Sequence, residues 1–216
     1  MNILVYTVQN MNNIGDKEDA LTLEILEVIE SQSHVTQRHL ADTLGVALGL
    51  ANSYLKRCIR KGLIKVQQAP ANRYLYYITP KGFAEKSRLT ARYLSASFNF
   101  YRQAGESLSE IYRCCQSNGW DRILFCGISE LAEIASIRAV EHNIQIVGIF
   151  DPWTQQDRFL RLPVFSSLGD AQLHDACMLT AIHDAGNLYN LLVGQVTPDL
   201  LLVPSILGLN INNNHP

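Results

Sequence analysis

Two groups of residues in this 216-residue chain have the types and spacing for chemistry. The first is Gly127-Ile128-Ser129-Glu130-Leu131-Ala132, where a short apolar run passes into a helical pattern. Nucleotide-cradling turns want a glycine for the tight bend, a second small residue where backbone nears phosphate, and a third where helix packs on strand. Here those positions read Gly, Ser, Ala, so Gly127 can turn and Ala132 can pack, while Ser129 weakens the approach to a pyrophosphate. Asp151, 24 positions after Gly127, ends the next apolar run, where a carboxylate can accept ribose hydroxyls. Helix-start amides near Ser129 would offer an anion site. His183 closes a third apolar run at the same strand-end edge. The ligand-contact set expected is therefore Gly127, Ile128, Ser129, Glu130, Asp151, Pro152 and His183. Gly127-Ile128-Ser129 also looks like half of a nucleophile elbow, with Asp151 and His183 in hydrolase order. Leu131 stands where the second glycine belongs, so no catalytic residue and no enzyme activity are expected.

The second group is cationic. Residues 36–92 carry 11 Lys/Arg against two acidic residues, Asp42 and Glu85. The first 118 residues balance to +4 and the rest to −6, giving the net −2. A basic segment joined to an acidic one reads as a nucleic-acid module attached to something else. If Ala51, Leu55, Cys58 and Ile59 face a core, the opposite helix side presents Gly49, Asn52, Ser53, Lys56 and Arg57. Asn can bridge adenine N6 and N7, and Arg prefers guanine O6 and N7. Lys56, Arg60 and Lys61 suit phosphates, and Arg73 sits at a hairpin tip. Thr36, Gln37 and Arg38, opening the preceding helix, complete the expected DNA-contact set. Leu48 or Leu50 could press on a thymine methyl or pack against a partner.

These residues need a frame. Apolar positions from Lys17 through Ile29 recur near the helical period, giving a first helix of about four turns. The pattern breaks at His34-Val35, and Thr36 then caps a second helix ending at Gly45. A third helix runs from about Ala47 to Lys61 and closes at Gly62. LIKVQQ and RYLYYIT, around APAN, form a hairpin. Two helices meeting at a glycine turn, followed by a hairpin with a basic tip, make a winged helix-turn-helix. Thr79-Pro80 starts a helix to about Gln116, with a break expected at Gly105 and apolar positions on more than one face. Residues 121–204 then alternate strand and helix, giving four strands, with RLPVFSSL a connection. Near-continuous apolar strands between amphipathic helices mean a parallel sheet covered on both faces.

The fold class expected is an α+β winged helix-turn-helix followed by a small α/β Rossmann-like domain with a parallel sheet. The expected division is a leader at 1–16, the winged helix at 17–79 and a helical, dimerising connector at 80–118. The Rossmann-like ligand-binding domain follows at 119–206, and a disordered tail at 207–216.

VTQRHLADTLGVALGLANSYLKRCIRKGLIKVQQ with YLYYITPKGFAEKSRLTARYL resembles the MarR-type winged-helix regulators associated with exopolysaccharide gene clusters. That resemblance covers about residues 20–100 and implies a dimeric transcriptional regulator on a roughly palindromic operator. Ala47 departs from the family's capping serine, and Leu50 from its common lysine. ILFCGISELAEIASIRAVEHNIQIVGIFDP with RLPVFSSLGDA is similar to the N-terminal nucleotide-sugar-binding domain of bacterial sugar acyltransferases. Carried over, that likeness implicates Gly127, Ser129, Asp151 and Pro152 in ligand contact, with Leu162-Pro163-Val164 as framework. The hexapeptide-repeat helix that carries acyl transfer in that family is absent, which implies binding without transfer. The NADH-sensing redox repressors share the overall plan, although Ser129 replaces a glycine there.

Other classes drop out on composition. Five cysteines with no CxxC spacing do not make a disulfide scaffold or zinc ribbon, and His174 with Cys177 lacks a second pair for a metal. No apolar run approaches the roughly 18 residues of a membrane span. The expectation is a cytoplasmic homodimer that binds double-stranded DNA and has no membrane contact. No cofactor is required; a nucleotide sugar or NAD(H) enters only as effector, unless the second domain merely dimerises.

Overall fold

The computed structural model describes residues 14–32, 35–70 and 73–209. The expected leader (up to residue 13), the break at His34, the hairpin tip at Ala71-Asn72 and the tail from residue 210 lie outside them. The chain divides into two compact units at Ser97/Phe98.

In the first unit, α1 (Ile14–Ser31) starts three residues before the expected Lys17. Helix α2 (Gln37–Leu44) begins at the N-cap Thr36, whose hydroxyl accepts the His39 N–H at 3.1 Å. It ends at Gly45, whose left-handed φ of 61° makes the turn. Helix α3 (Leu48–Arg60) starts at Ala47 with no side-chain cap, as an alanine there dictates. Strands β1 (Ile64–Ala69) and β2 (Arg73–Ile78) pair antiparallel from Ile64–Ile78 to Ala69–Arg73. Ile25 and Leu26 of α1, Leu40 and Leu44 of α2, Ala51, Leu55 and Cys58 of α3, and Tyr76 of β2 share one core. Three short helices and a hairpin thus converge on one apolar centre, which holds α3 with its other side to solvent.

Helix α4 runs unbroken from Pro80 to Asn118. Thr79 caps it: the hydroxyl accepts the Gly82 N–H at 3.0 Å and donates to the Gly62 carbonyl at 2.7 Å. The break expected at Gly105 does not occur. A Cβ there would stand 2.8 Å from Arg138 Nη2, so this glycine accommodates a guanidinium rather than a bend. From Phe98 onward the helix belongs to the second unit, where Ala104, Leu108, Tyr112 and Cys115 are buried.

The second unit contains β3 (Arg122–Cys126), α5 (Glu130–Glu141), β4 (Gln145–Phe150), β5 (Arg158–Phe159), β6 (Leu162–Phe165), β7 (Ala176–Leu179), α6 (Ala185–Val193) and β8 (Leu201–Leu202). The sheet order is β5-β6-β4-β3-β7-β8, parallel throughout except for β5 against β6. Successive side chains of a strand point to opposite faces. Ile123 and Phe125 accordingly meet α4 and α5, while Leu124 and Cys126 meet Leu188 and Leu192 of α6. Six strands replace the expected four. LPVF is a strand hydrogen-bonded parallel to β4, not a connection. Leu160 and Arg161, at φ 50° and 66°, make the two-residue hairpin turn before it. Positive φ at both turn positions favours glycine or asparagine, so this turn carries none of the usual residues. Among the described residues, no helix is long and apolar enough to cross a membrane.

One buried charge stands out in the first unit. Glu24 on α1 is 3% exposed, and neither carboxylate oxygen has a hydrogen-bond partner. Burial, and secondarily Glu27, pushes its carboxyl from 4.5 to about 7. A group whose folded value lies above its unfolded one stabilises fully below the unfolded value and loses that contribution as pH rises through the folded one. Wild type should therefore lose about 3 kcal/mol between pH 4.5 and 8 that Glu24→Gln does not lose. Urea denaturation of both proteins across that range checks it; parallel pH profiles would refute it.

Candidate nucleic-acid interface and strand-end crevice

Helix α3 turns 100° per residue, so burying Ala51, Leu55 and Cys58 fixes what faces away. The outward line is Gly49, Ser53, Lys56 and Arg60, all exposed. Its i, i+4, i+7, i+11 spacing is visible in the sequence, and it adds Arg60 to the expected outward set. Leu48 and Leu50 are also exposed at the amino end of α3. Asn52 lies off this line. It is half-buried, and its Oδ1 is closed to solvent without a hydrogen-bond partner among the described residues, contrary to the outward, base-reading position expected. Arg57 flanks the line on the other side, and its Nη2 meets Glu18 Oε1 of α1 at 2.8 Å. Lys61 reaches the same oxygen at 3.3 Å. Exposed pairs of this kind are worth roughly 0–1 kcal/mol, so Glu18 parks Arg57 without disabling it.

The other expected DNA-contact residues fall on two elements. The Thr36 hydroxyl is engaged in its cap. Gln37 Nε2 donates to Tyr76 Oη of β2 at 3.4 Å, tying α2 to the hairpin. Arg38 is exposed on the first turn of α2. Arg73 opens β2 opposite Ala69; its side chain is outside the described part. Lys86 pairs with Glu30 and Arg92 with Asp19, so α1 carboxylates neutralise much of the positive segment. Arg38, Lys56, Arg60 and Lys65 form no ion pair among the described residues. Lys65 and exposed Tyr77 face each other across the hairpin, a contribution that motif reading missed.

In the second unit, Gly127, Asp151 and Thr180 meet at the carboxyl ends of β3, β4 and β7. The chain runs outward from β3 to β4 and β6, then crosses back to β7, so strand order reverses between β3 and β7. Open α/β sheets bind ligands outside such a reversal. Gly127 has φ 99°, and a Cβ there would lie 2.4 Å from Ala181 Cβ. Both its conformation and its neighbour require glycine.

The polar groups of this turn serve the protein itself. Asp151 Oδ2 accepts the Ile128 N–H at 3.0 Å, and Oδ1 accepts the Trp153 N–H at 3.1 Å. Ser129 is the N-cap of α5, accepting the Leu131 N–H at 3.0 Å and donating to the Thr180 carbonyl. Thr180 Oγ1 donates to the Gly127 carbonyl at 2.6 Å, and the Gly127 N–H to the Phe150 carbonyl at 2.8 Å. Three amides that could cradle a phosphate are thus already engaged. Ser129 is buried, and its hydroxyl proton goes to the Thr180 carbonyl rather than to Asp151 or His183. Glu130 is exposed, and Pro152 and His183 are half-exposed at the same edge.

Beside β7, His174 Nδ1 meets the Gln172 carbonyl at 2.8 Å and its Nε2 meets Cys177 Sγ at 3.4 Å. A hydrogen bond from Cys126, and then His174, brings the Cys177 thiol from 9.0 down to about 7, while burial holds Cys126 up. No group of three or more metal-ligating side chains occurs among the described residues.

A crystal structure of a MarR family transcription regulator is similar at 24% identity over 38% of this chain, with a TM-score of 0.34. The chain spans 56% of that regulator's length. The structure of human N-acetylserotonin methyltransferase in complex with SAM is similar at 15% identity, covering 92% of this chain and 79% of that one, with a TM-score of 0.31. No curated protein matches the chain. Residues 18–65, from α1 into β1, match the family model for winged helix-turn-helix DNA-binding domains, in keeping with the three helices and hairpin of the amino-terminal unit.

Proposed function

We propose that this chain is a cytoplasmic, homodimeric transcriptional regulator of the MarR type whose second, Rossmann-like unit senses a nucleotide-containing metabolite. The observation that carries the DNA reading is the exposed line Gly49-Ser53-Lys56-Arg60 on α3 of a matched winged helix, with neither cation held by a carboxylate among the described residues. Helix α3 enters the major groove, Lys56 and Arg60 meet phosphates, and Ser53 faces base edges. Arg57 reaches a guanine by leaving Glu18. The Arg38, Lys65 and Arg73 positions on α2 and the hairpin extend the phosphate contacts. The likeness to exopolysaccharide-associated regulators points to polysaccharide genes as targets.

Dimerisation is assigned to α4, where Leu94, Phe98 and Tyr101 are exposed at i, i+4 and i+7. The effector, a nucleotide sugar or NAD(H), would sit outside Gly127, Asp151 and His183, where the strand order reverses. Internal bonding of the turn amides favours a second reading, in which the turn is packing and the second unit only dimerises.

Three measurements separate these readings. In salt-titrated gel shifts, Lys56→Ala and Arg60→Ala should each weaken duplex binding across sequences and lower the log–log salt slope by about 1. No binding by wild type at low salt, or unchanged slopes in both variants, would sink the DNA assignment. In thermal denaturation, millimolar UDP-sugar or NADH should stabilise wild type and fail to stabilise Asp151→Asn. Absence of stabilisation in wild type selects the packing reading. In sedimentation, Phe98→Glu should shift the dimer toward monomer; an unchanged dimer would place the interface elsewhere.

A further inference from the structure

The amino end of α3 differs in kind from the rest of its exposed face. From the N-cap through the first turn the residues are Ala47, Leu48, Gly49 and Leu50, without one polar side chain. All four are exposed, and Leu48 and Leu50 keep 44% and 45% of their surface in solvent. Helical rotation sends the two leucines to different sides. Leu48 lies on the stripe of buried Leu55, seven residues on, and borders the core side. Leu50 lies on the stripe of Arg57, also seven residues on, beside the outward line. Between them Gly49 has no atom within 4 Å of where a Cβ would stand, so the helix backbone is open to close approach.

We propose that Leu50 is a sequence-reading residue whose side chain packs on the 5-methyl group of a thymine in the major groove. The inference rests on the DNA reading of α3. A recognition helix directs its amino-terminal residues at base edges. Leu50 has no hydrogen-bonding group, so it can tell bases apart only by apolar contact. The apolar group that base pairs present in the major groove is the thymine methyl, beside a set of N–H donors and N or O acceptors. Any other base there would set the leucine against a polar edge, which loses water and gains no partner. Ser53, one turn on, and Arg57, two turns on, carry hydrogen-bonding groups instead, so one helix would read by two kinds of contact. The occupant is a duplex rather than an apolar protein surface because the same exposed face continues into Lys56 and Arg60. Those cations suit a polyanion and would be covered without counter-charge by an apolar partner.

Thymine and uracil differ by that methyl alone, which supplies the test. A random-sequence duplex pool is enriched by repeated binding to the whole chain, then copied with either thymidine or deoxyuridine triphosphate. Fluorescence anisotropy measures the affinity of each copy at one salt concentration. Both copies carry the same phosphates, so counterion release is common to the two. The thymine copy should bind about fourfold more tightly for each methyl buried, the equivalent of about 0.8 kcal/mol. Leu50→Ala, an exposed change whose fold circular dichroism would verify, should bind the two copies equally. Lys56→Ala should weaken both and keep the ratio. Equal binding of the two copies by wild type, or a thymine preference that persists in Leu50→Ala, would overturn the proposal and leave the DNA reading standing. Binding of neither copy at low salt would overturn both.

Discussion

Burial of Ala51, Leu55 and Cys58 against α1, α2 and the hairpin is the constraint from which the exposed cationic face of α3 follows. A helix 13 residues long has little independent stability in water, so its rotation is set by packing rather than by its own propensity. With those three side chains inside, Gly49, Ser53, Lys56 and Arg60 have no other place to be. The small residues nearest the amino end leave room for bases, and the cations follow toward the carboxyl end. Those cations also suit the negative end of the helix dipole, so one arrangement stabilises the helix and equips it for phosphate.

The second unit depends on an analogous constraint at one residue. Gly127 turns at φ 99° against Ala181, which brings the ends of β3 and β7 together while the Asp151 carboxylate fastens the next amide. Hydrogen bonds through Ser129 and Thr180 then close the space next to the sheet. A ligand at this edge must lie outward of that seal, near Glu130, Pro152 and His183, or displace bonds that already satisfy the turn. Rigidity here is compatible with a sensor if the ligand distinguishes two conformations of the edge, since an effector shifts an equilibrium only by its differential affinity.

Much of this was legible in residue order because local chemistry decided it. Thr36, Gly45, Thr79-Pro80 and the apolar periodicity of α1 to α3 gave the element boundaries, and apolar runs gave the central strands. Three features stayed hidden for physical reasons. Gly105 looks like a breaker, but the deciding neighbour, Arg138, is 33 positions away and lies where a Cβ would go. β5 and β6 are joined by Leu160 and Arg161 in a conformation those residue types disfavour, so the turn had no chemical signature. Arg57 reads as a free base contact until Glu18, 39 positions upstream, is found beside it. The first and third depend on a tertiary partner, about which periodicity carries no information, and the second on a turn whose residue types give no signal.

Helix α1 unites the electrostatics of the first unit. Its Glu18, Asp19 and Glu30 meet Arg57 and Lys61, Arg92 and Lys86 respectively. The 11 cations counted between residues 36 and 92 are therefore not the charge that a duplex encounters. Binding by counterion release scales with the cations that actually neutralise phosphates. Paired arginines and lysines contribute only after giving up their carboxylates, and those outlying pairs are weak enough to exchange. A surface charge built this way is adjustable: a phosphate can take a cation from α1 at small cost, at a position fixed by the fold. Glu24 departs from this pattern. Among the described residues it is the α1 carboxylate with no hydrogen-bond partner and almost no exposure, and no lysine or arginine is paired with it. A helix that matches three of its carboxylates to cations holds a fourth in the interior, where burial favours the protonated form and a proton does what a cation does at the surface.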